Sequence, residues 1–335
     1  MNLKPTTEIA WNAGVFRTIK AYVNLYSTTD RQRNPPCDSK TQHVRLVTIG
    51  PSHYCEKARW ALDLLDNDST SPIYYTENAH PPIFQSLETL PLSNGKVSMV
   101  PMAELTNQNG ETDVIYDSSK IIEHFLPRLY PSSCKNEILE LEEYFGTHIG
   151  ATARCYIYHV SLKPKHYKFL TDLLTSQSSS VEKMIWGKLL DKGIAKGMKK
   201  VMGINNDSAE ASIKALRKAF YDVSLKLTKK DGTKKKFIMD TDVKEIGFTA
   251  ADLAFCSMAS AIVCPPELSS FMPMKEEEMP QELIDLRNEL RNTISGQHVL
   301  DVYKERGRVV PKVVNRDCLP RESIYANLET FFSRL

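Results

Sequence analysis

Charge of one dominant sign is missing from this sequence: 43 basic and 41 acidic side chains leave a formal net charge of +2 over 335 residues. Nucleic-acid binding depends on dense positive charge against phosphates, so no nucleic-acid partner is expected. Long apolar runs are missing as well. The longest uncharged stretch, Leu253–Pro266, falls well short of the roughly 20 residues a membrane helix requires, so no transmembrane segment is expected. Paired cysteines are also absent. Cys37, Cys55, Cys134, Cys155, Cys256, Cys264 and Cys318 are odd in number, scattered, and never spaced C-x2-C, which indicates neither a disulfide framework nor a metal site. They read as reduced intracellular thiols and place the chain in the cytoplasm. What is present is ordinary for a folded protein. An apolar content of 41% and a charged content of 25% exclude wholesale disorder, and the length suits two domains with their own cores.

The chain divides into three parts. Residues 1–43 form an extension, with six basic and three acidic residues and an amphipathic stretch from Ile9 to Tyr26 that reads as a targeting helix or a packing arm. Its last third is polar with a Pro-Pro pair, a linker composition. Residues 44–131 then show mixed signals. Val44–Ile49 is β-branched and apolar, Gly50-Pro51 breaks it, and Tyr54–Leu65 carries helical spacing. Strand signals at 72–76, 97–105 and 112–116 follow, with a short helical piece near 84–90, an Asn-Gln-Asn-Gly turn, and a helix through Ile121 and Ile122 that Pro127 ends. The order is β-α-β-α-β-β-α. From 132 to 335 the pattern is helical, with expected helices at 135–162, 166–174, 180–201, 208–227, 249–263 and 281–293. The basic run Lys229–Lys236 has Asp-Gly in its middle, which marks a solvated turn.

Four motifs stand out. Gly50-Pro51-Ser52-His53-Tyr54-Cys55-Glu56-Lys57-Ala58-Arg59-Trp60 is a strand-to-helix turn presenting a hydroxyl. Met99-Val100-Pro101 is a strand edge stopped by proline. Tyr116-Asp117-Ser118-Ser119-Lys120 opens a helix with an acid and hydroxyls. Gly247-Phe248-Thr249-Ala250-Ala251-Asp252-Leu253 has Thr249 as an N-cap, Asp252 in the capping-box position and Phe248 as a hydrophobic staple.

In this order and at these separations the motifs resemble the glutathione S-transferase superfamily, with similarity to bacterial and omega-like members. The resemblance extends from about residue 45 to Arg308. It implies a fold of α/β plus all-α class, a thioredoxin-like N-terminal domain followed by an all-helical C-terminal domain. It also implies glutathione as co-substrate, a small apolar electrophile or disulfide as the other substrate, and a possible homodimer that the extension and the lengthened 163–206 region would remodel.

The chemistry asked of these residues is definite. Glutathione's thiol ionises near pH 8.5, as cysteine does, and lowering that by about two units takes roughly 2.7 kcal/mol. A helix N-terminus supplies ~0.3–1 kcal/mol, whereas a hydrogen bond to a charged group supplies ~1.5–3 kcal/mol. Ser52, just before the first turn, is therefore the expected activator, and its bland alternative is a plain N-cap. Cys55 stands where a redox pair has its second cysteine. It is either a packed thiol or the centre of thiol–disulfide exchange. The resemblance implies a cis Val100-Pro101 bond whose Val100 backbone pairs with the cysteinyl part of glutathione, against an ordinary trans proline. It also implies that Asp117 and Ser118 grip the γ-glutamyl end, against a simple capping pair. Lys96 is a candidate for the glycyl carboxylate, although its spacing departs from the usual Lys-Val-Pro. Tyr144, Tyr156 and Tyr158 are candidates for the acceptor pocket. A non-catalytic ligand-binding protein of the same fold and an oxidoreductase using Cys55 remain as alternatives.

Overall fold

The computed structural model describes residues 43–66, 73–106 and 111–312. The extension before His43, Cys37, Cys318 and the Asn107–Gly110 turn lie outside the described residues.

The first layer is a mixed sheet of β1 (His43–Thr48), β2 (Tyr74–Ala79), β3 (Met102–Thr106) and β4 (Thr112–Tyr116), in the order β2-β1-β3-β4. β1 runs parallel to β2, with Val44 opposite Tyr75, and antiparallel to β3, with Leu46 opposite Ala103. β3 and β4 pair antiparallel, Ala103 opposite Ile115. Helices α1 (His53–Asp66), α2 (Ser86–Leu92) and α3 (Ser118–Phe125) connect and cover these strands. This is the thioredoxin-like arrangement expected from the β-α-β-α-β-β-α order.

Two strands differ from the sequence reading. β2 begins two residues later than expected and ends at Ala79; Glu77 and Asn78, buried on its two opposite faces, hide the apolar pattern. β3 begins only at Met102. Pro101 has no N–H to give to a ladder, so residues 97–101 form a loop instead.

The second layer is helical: α4 (Lys135–Phe145), α5 (Thr152–Ser161), α6 (Tyr167–Leu174), α7 (Ser180–Leu189), α8 (Ala195–Val201), α9 (Asn206–Lys226), α10 (Ala250–Val263), α11 (Gln281–Arg291) and α12 (Ile294–Arg306). The expected single helix over 135–162 contains a π-helical segment at Gly146–Ala151 between α4 and α5. The expected helix over 180–201 breaks at Gly193, whose φ of +98° suits glycine and ends the α7 direction. α12 lies beyond the helices expected from sequence. Its buried face mixes Ser295, Gly296 and His298 with Val299, Val302 and Tyr303, so apolar periodicity is diluted.

Every residue of α10 is buried, since this helix packs against α1, α4, α11 and α12 at once. Its capping box forms. Asp252 accepts from the Thr249 N–H and hydroxyl, both at 3.0 Å, and from the Ile238 N–H at 2.8 Å. Phe248 lies beside Trp60 of α1, ring centroids 5.8 Å apart, and Phe237 at 5.9 Å. Helices α6 to α8 build a second core around Trp186 and Leu170 that includes Phe84, so the lengthened 163–206 region closes over one end of the sheet layer. The lysines of the 229–236 loop pair with acids across the surface, Lys234 with Asp301 at 2.6 Å among them. Among the described residues no helix is long and apolar enough to cross a membrane.

Candidate active site

The turn that opens the site follows from local chemistry. Gly50-Pro51 ends β1, and the Ser52 N–H closes the turn onto the Ile49 carbonyl at 2.9 Å. The Ser52 carbonyl accepts the first bond of α1 from the Glu56 N–H at 2.8 Å, which makes Ser52 the N-cap. Its hydroxyl oxygen accepts only a long bond from the Cys55 N–H, 3.4 Å. The same hydroxyl also lies beside the Cys55 thiol, whose pKa it acts to lower.

Ser52 faces a cavity of about 620 Å³ between the sheet layer and the helices, a volume ordinary for a small-molecule site. Val100 and Pro101 line it, and the peptide bond between them is cis. Val100 stands outside the ladders, whose registers begin at Met102, so its backbone edge is not committed to the sheet. Across from it, Asp117 and Ser118 line the cavity at the start of α3. Asp117 adopts φ +81°, a conformation rare for a residue with a side chain, and its carboxylate caps the Ser119 N–H at 2.8 Å. Residues held in such sparsely populated backbone regions gather at ligand sites. Ser52, Val100, Pro101, Asp117 and Ser118 are thus brought to one cavity.

Two candidates fall elsewhere. Cys55 is wholly buried and does not line the cavity. Burial pushes its thiol up to about 11, although the Ile49 N–H and the Ser52 hydroxyl pull the other way. Exchange chemistry needs a thiolate with access to its partner, and the burial of Cys55 favours its packing role over an exchange role. Lys96 is exposed and away from the cavity lining. The irregular 97–101 segment separates it from the cis bond.

Several lining residues lie outside the sequence reading. Lys120, in the first turn of α3 and part of its motif but given no role there, lines the cavity with its ammonium 5.5 Å from the Tyr116 ring centroid. Arg154 lines it from α5. It is one turn before Tyr158, the one tyrosine of the three candidates that reaches the cavity, and that i, i+4 relation was available in the sequence. Tyr144 instead donates to Asp222 at 2.7 Å, on the other side of the bundle. Apolar walls come from Ile157, Leu170, Leu173, Met272 and Met274.

His53 and Tyr54 also border the cavity. Tyr54 donates to the Gly146 carbonyl at 2.8 Å, an acceptor in the π segment, where regular α-helical bonding is interrupted. Gly150 allows this close approach. A Cβ there would stand 2.7 Å from the Met258 sulfur and 2.8 Å from the Tyr54 hydroxyl. His53 is buried, and its pKa is lowered to about 3 by that burial, with the Arg154 guanidinium acting the same way. The imidazole is neutral across the physiological range.

Against known proteins, no family model matches the chain and no curated protein matches it. Solved structures of similar shape are glutathione transferases and their relatives. Poplar glutathione transferase F1 shares 14% identity, with 78% of this chain and 98% of that one aligned at a TM-score of 0.37. Gtt2 from Saccharomyces cerevisiae shares 12%, over 76% and 100% of the two chains, at 0.41. Ure2p in complex with glutathione shares 13%, over 82% and 98%, at 0.42. At such values the assignment of this fold stands on its own sheet order, cis-proline and helical layer.

Proposed function

We propose that the chain binds glutathione in this cavity and activates its thiol, acting as a glutathione transferase. The single observation that carries the reading is the convergence of Ser52, the cis Val100-Pro101 edge and Asp117-Ser118 on one cavity of about 620 Å³. In this reading the tripeptide's cysteinyl unit pairs with the free backbone edge at Val100. The α-carboxylate of the γ-glutamyl end meets the N–H groups that open α3, the Ser118 hydroxyl and the Lys120 ammonium. Its α-amino group meets the Asp117 carboxylate. The Ser52 hydroxyl donates to the sulfur and holds it as thiolate, releasing the thiol proton to solvent.

The thiolate then attacks an electrophilic carbon set against the apolar wall of α5 and α6. A carbon–sulfur bond forms, and either a leaving group departs with its electron pair or, on an activated double bond, the resulting carbanion takes a proton from water. Calorimetric titration with glutathione, followed by turnover of 1-chloro-2,4-dinitrobenzene, tests the reading. Binding with turnover is expected. Binding without turnover makes the chain a carrier, and absence of binding removes glutathione from the account.

A further inference from the structure

The helical wall of the cavity is apolar except at one place. Ile157, Tyr158, Leu170 and Leu173 give it no charge, and Arg154 stands among them. Among the described residues no carboxylate pairs with Arg154, whose described contact is with the Tyr54 ring, 5.8 Å from guanidinium to centroid. Asp117 is the sole carboxylate among the lining residues; it caps the Ser119 N–H at the start of α3, and its charge reaches Tyr54 in the sense opposite to that of Arg154. The guanidinium's charge acts on three neighbours that line this same cavity. It lowers His53 in concert with burial, and it works against the burial that raises Tyr54 and Tyr158.

Arg154 is exposed, and an exposed cation with no carboxylate paired to it, set beside an apolar wall, discriminates among ligands. It repels cations, gives little to neutral molecules, and attracts an anion that can bury its apolar body at the same time. The planar guanidinium fork matches a carboxylate with two parallel N–H donors. Ser52 lies two residues from Tyr54 along the first turn of α1, so the sulfur it holds and the charge over Tyr54 address one bound molecule from two sides.

We infer that the acceptor substrates of this site are apolar electrophiles that carry a carboxylate, and that Arg154 is the residue that selects it. The inference rests on the glutathione reading above and names the class of its second substrate. The carboxylate stays intact through the reaction and serves only to orient the electrophilic carbon toward the sulfur.

The test is a binding comparison that needs no turnover. S-benzylglutathione and S-(4-carboxybenzyl)glutathione differ by the one carboxylate, and free glutathione reports the tripeptide site alone. In calorimetry at pH 7 the wild-type chain is expected to bind the carboxylated conjugate about fivefold more tightly than the neutral one, the size of a partly solvated ion pair. Arg154→Gln abolishes that ratio, and Arg154→Lys keeps part of it because the charge remains without the fork. Circular dichroism of both variants checks that they are folded. A ratio of one or less in the wild type, or an unchanged ratio in Arg154→Gln, overturns the inference while leaving glutathione binding in place. An equal loss for all three ligands in Arg154→Gln, with a raised pKa of the bound thiol, also overturns it and assigns Arg154 to the thiolate. Failure of the wild type to bind free glutathione removes the underlying reading, and the inference with it.

Discussion

Replacing Ser52 by alanine separates the chemistry of the site from its architecture, because the two roles of this hydroxyl have different sizes. As a cap it accepts one bond of 3.4 Å from the Cys55 N–H. A bond that long lies outside the usual 2.7–3.2 Å range, so its loss costs at the low end of cap deletions, about 0.5 kcal/mol. As a donor to a thiolate it supplies ~1.5–3 kcal/mol, or about one to two pKa units. For a bound thiol held near pH 6.5, about half is thiolate at that pH, against about 1% for an unassisted thiol at 8.5. Ser52→Ala is therefore expected to lower kcat/KM by about fiftyfold at pH 6.5. At pH 9 most of the thiol ionises without help, and the loss shrinks to less than about twofold. The assay is the pH profile of turnover of a dinitrophenyl acceptor, with the thiolate absorbance of bound glutathione titrated in parallel and stability followed in urea. An equal loss at pH 6.5 and pH 9, or an unshifted absorbance titration, refutes the activator role. A destabilisation of several kcal/mol points to a cap alone.

Other perturbations follow from the same geometry. Asp252→Ala leaves the Ile238 N–H, the Thr249 N–H and the Thr249 hydroxyl without their buried acceptor. It is expected to cost about 3–5 kcal/mol, read as a lower denaturant midpoint, with a smaller cost for Asp252→Asn. His53 is neutral in the fold down to about pH 3 but takes a proton near 6.5 when unfolded. Its contribution to stability is full above pH 6.5 and declines as pH falls toward 3, by up to about 1.4 kcal/mol per pH unit. Urea midpoints between pH 7 and 4.5 should fall less steeply in His53→Gln, and identical slopes would show that His53 does not carry the effect. Gly150→Ala drives a Cβ against the Met258 sulfur and the Tyr54 hydroxyl. A cost of about 1–3 kcal/mol is expected, with a raised acceptor KM as Tyr54 shifts; an unchanged Tm and KM would mean that the wall yields freely.

The parts of this molecule legible in its sequence are those specified by neighbours along the chain. The Gly50-Pro51-Ser52 turn, the cap at Thr249 and the hydroxyl-rich start of α3 are local devices, and each stands where its motif places it. The parts not legible depend on partners far away. Glu77 and Arg59 look like surface residues in sequence, yet they are 0% and 1% exposed because each neutralises the other. Arg154 enters the site only because the helical layer closes against the sheet layer. Lys96 has a spacing to Pro101 that departs from Lys-Val-Pro, and the irregular loop between them keeps it exposed and out of the cavity lining. The π segment at Gly146–Ala151 carries two glycines, and Gly150 makes room for the Tyr54 hydroxyl that reaches the Gly146 carbonyl, a partner 92 residues away in the chain.

The burial of α1 explains how such a weakly capped helix can aim a hydroxyl. Glu56, Lys57 and Arg59 are 3%, 3% and 1% exposed, and charges buried so deeply persist only when each is met. Arg59 bonds Glu56 and Glu77 and stacks 3.7 Å from the Phe271 ring. Lys57 pairs with Glu142 of α4 at 2.6 Å and donates to Ser119 of α3 at 2.7 Å. Glu56 also receives the Tyr303 hydroxyl at 3.0 Å and the Arg306 guanidinium, both from α12. The sheet, the start of α3 and the helical bundle are therefore all fastened to the first two turns of the helix that Ser52 opens. Displacing any one of them is expected to tilt that helix and shift the Ser52 hydroxyl within the cavity. Ion pairs of this kind contribute little net stability over apolar packing, so what they secure here is direction: the Ser52 hydroxyl is positioned by the closure of both layers rather than by its own cap.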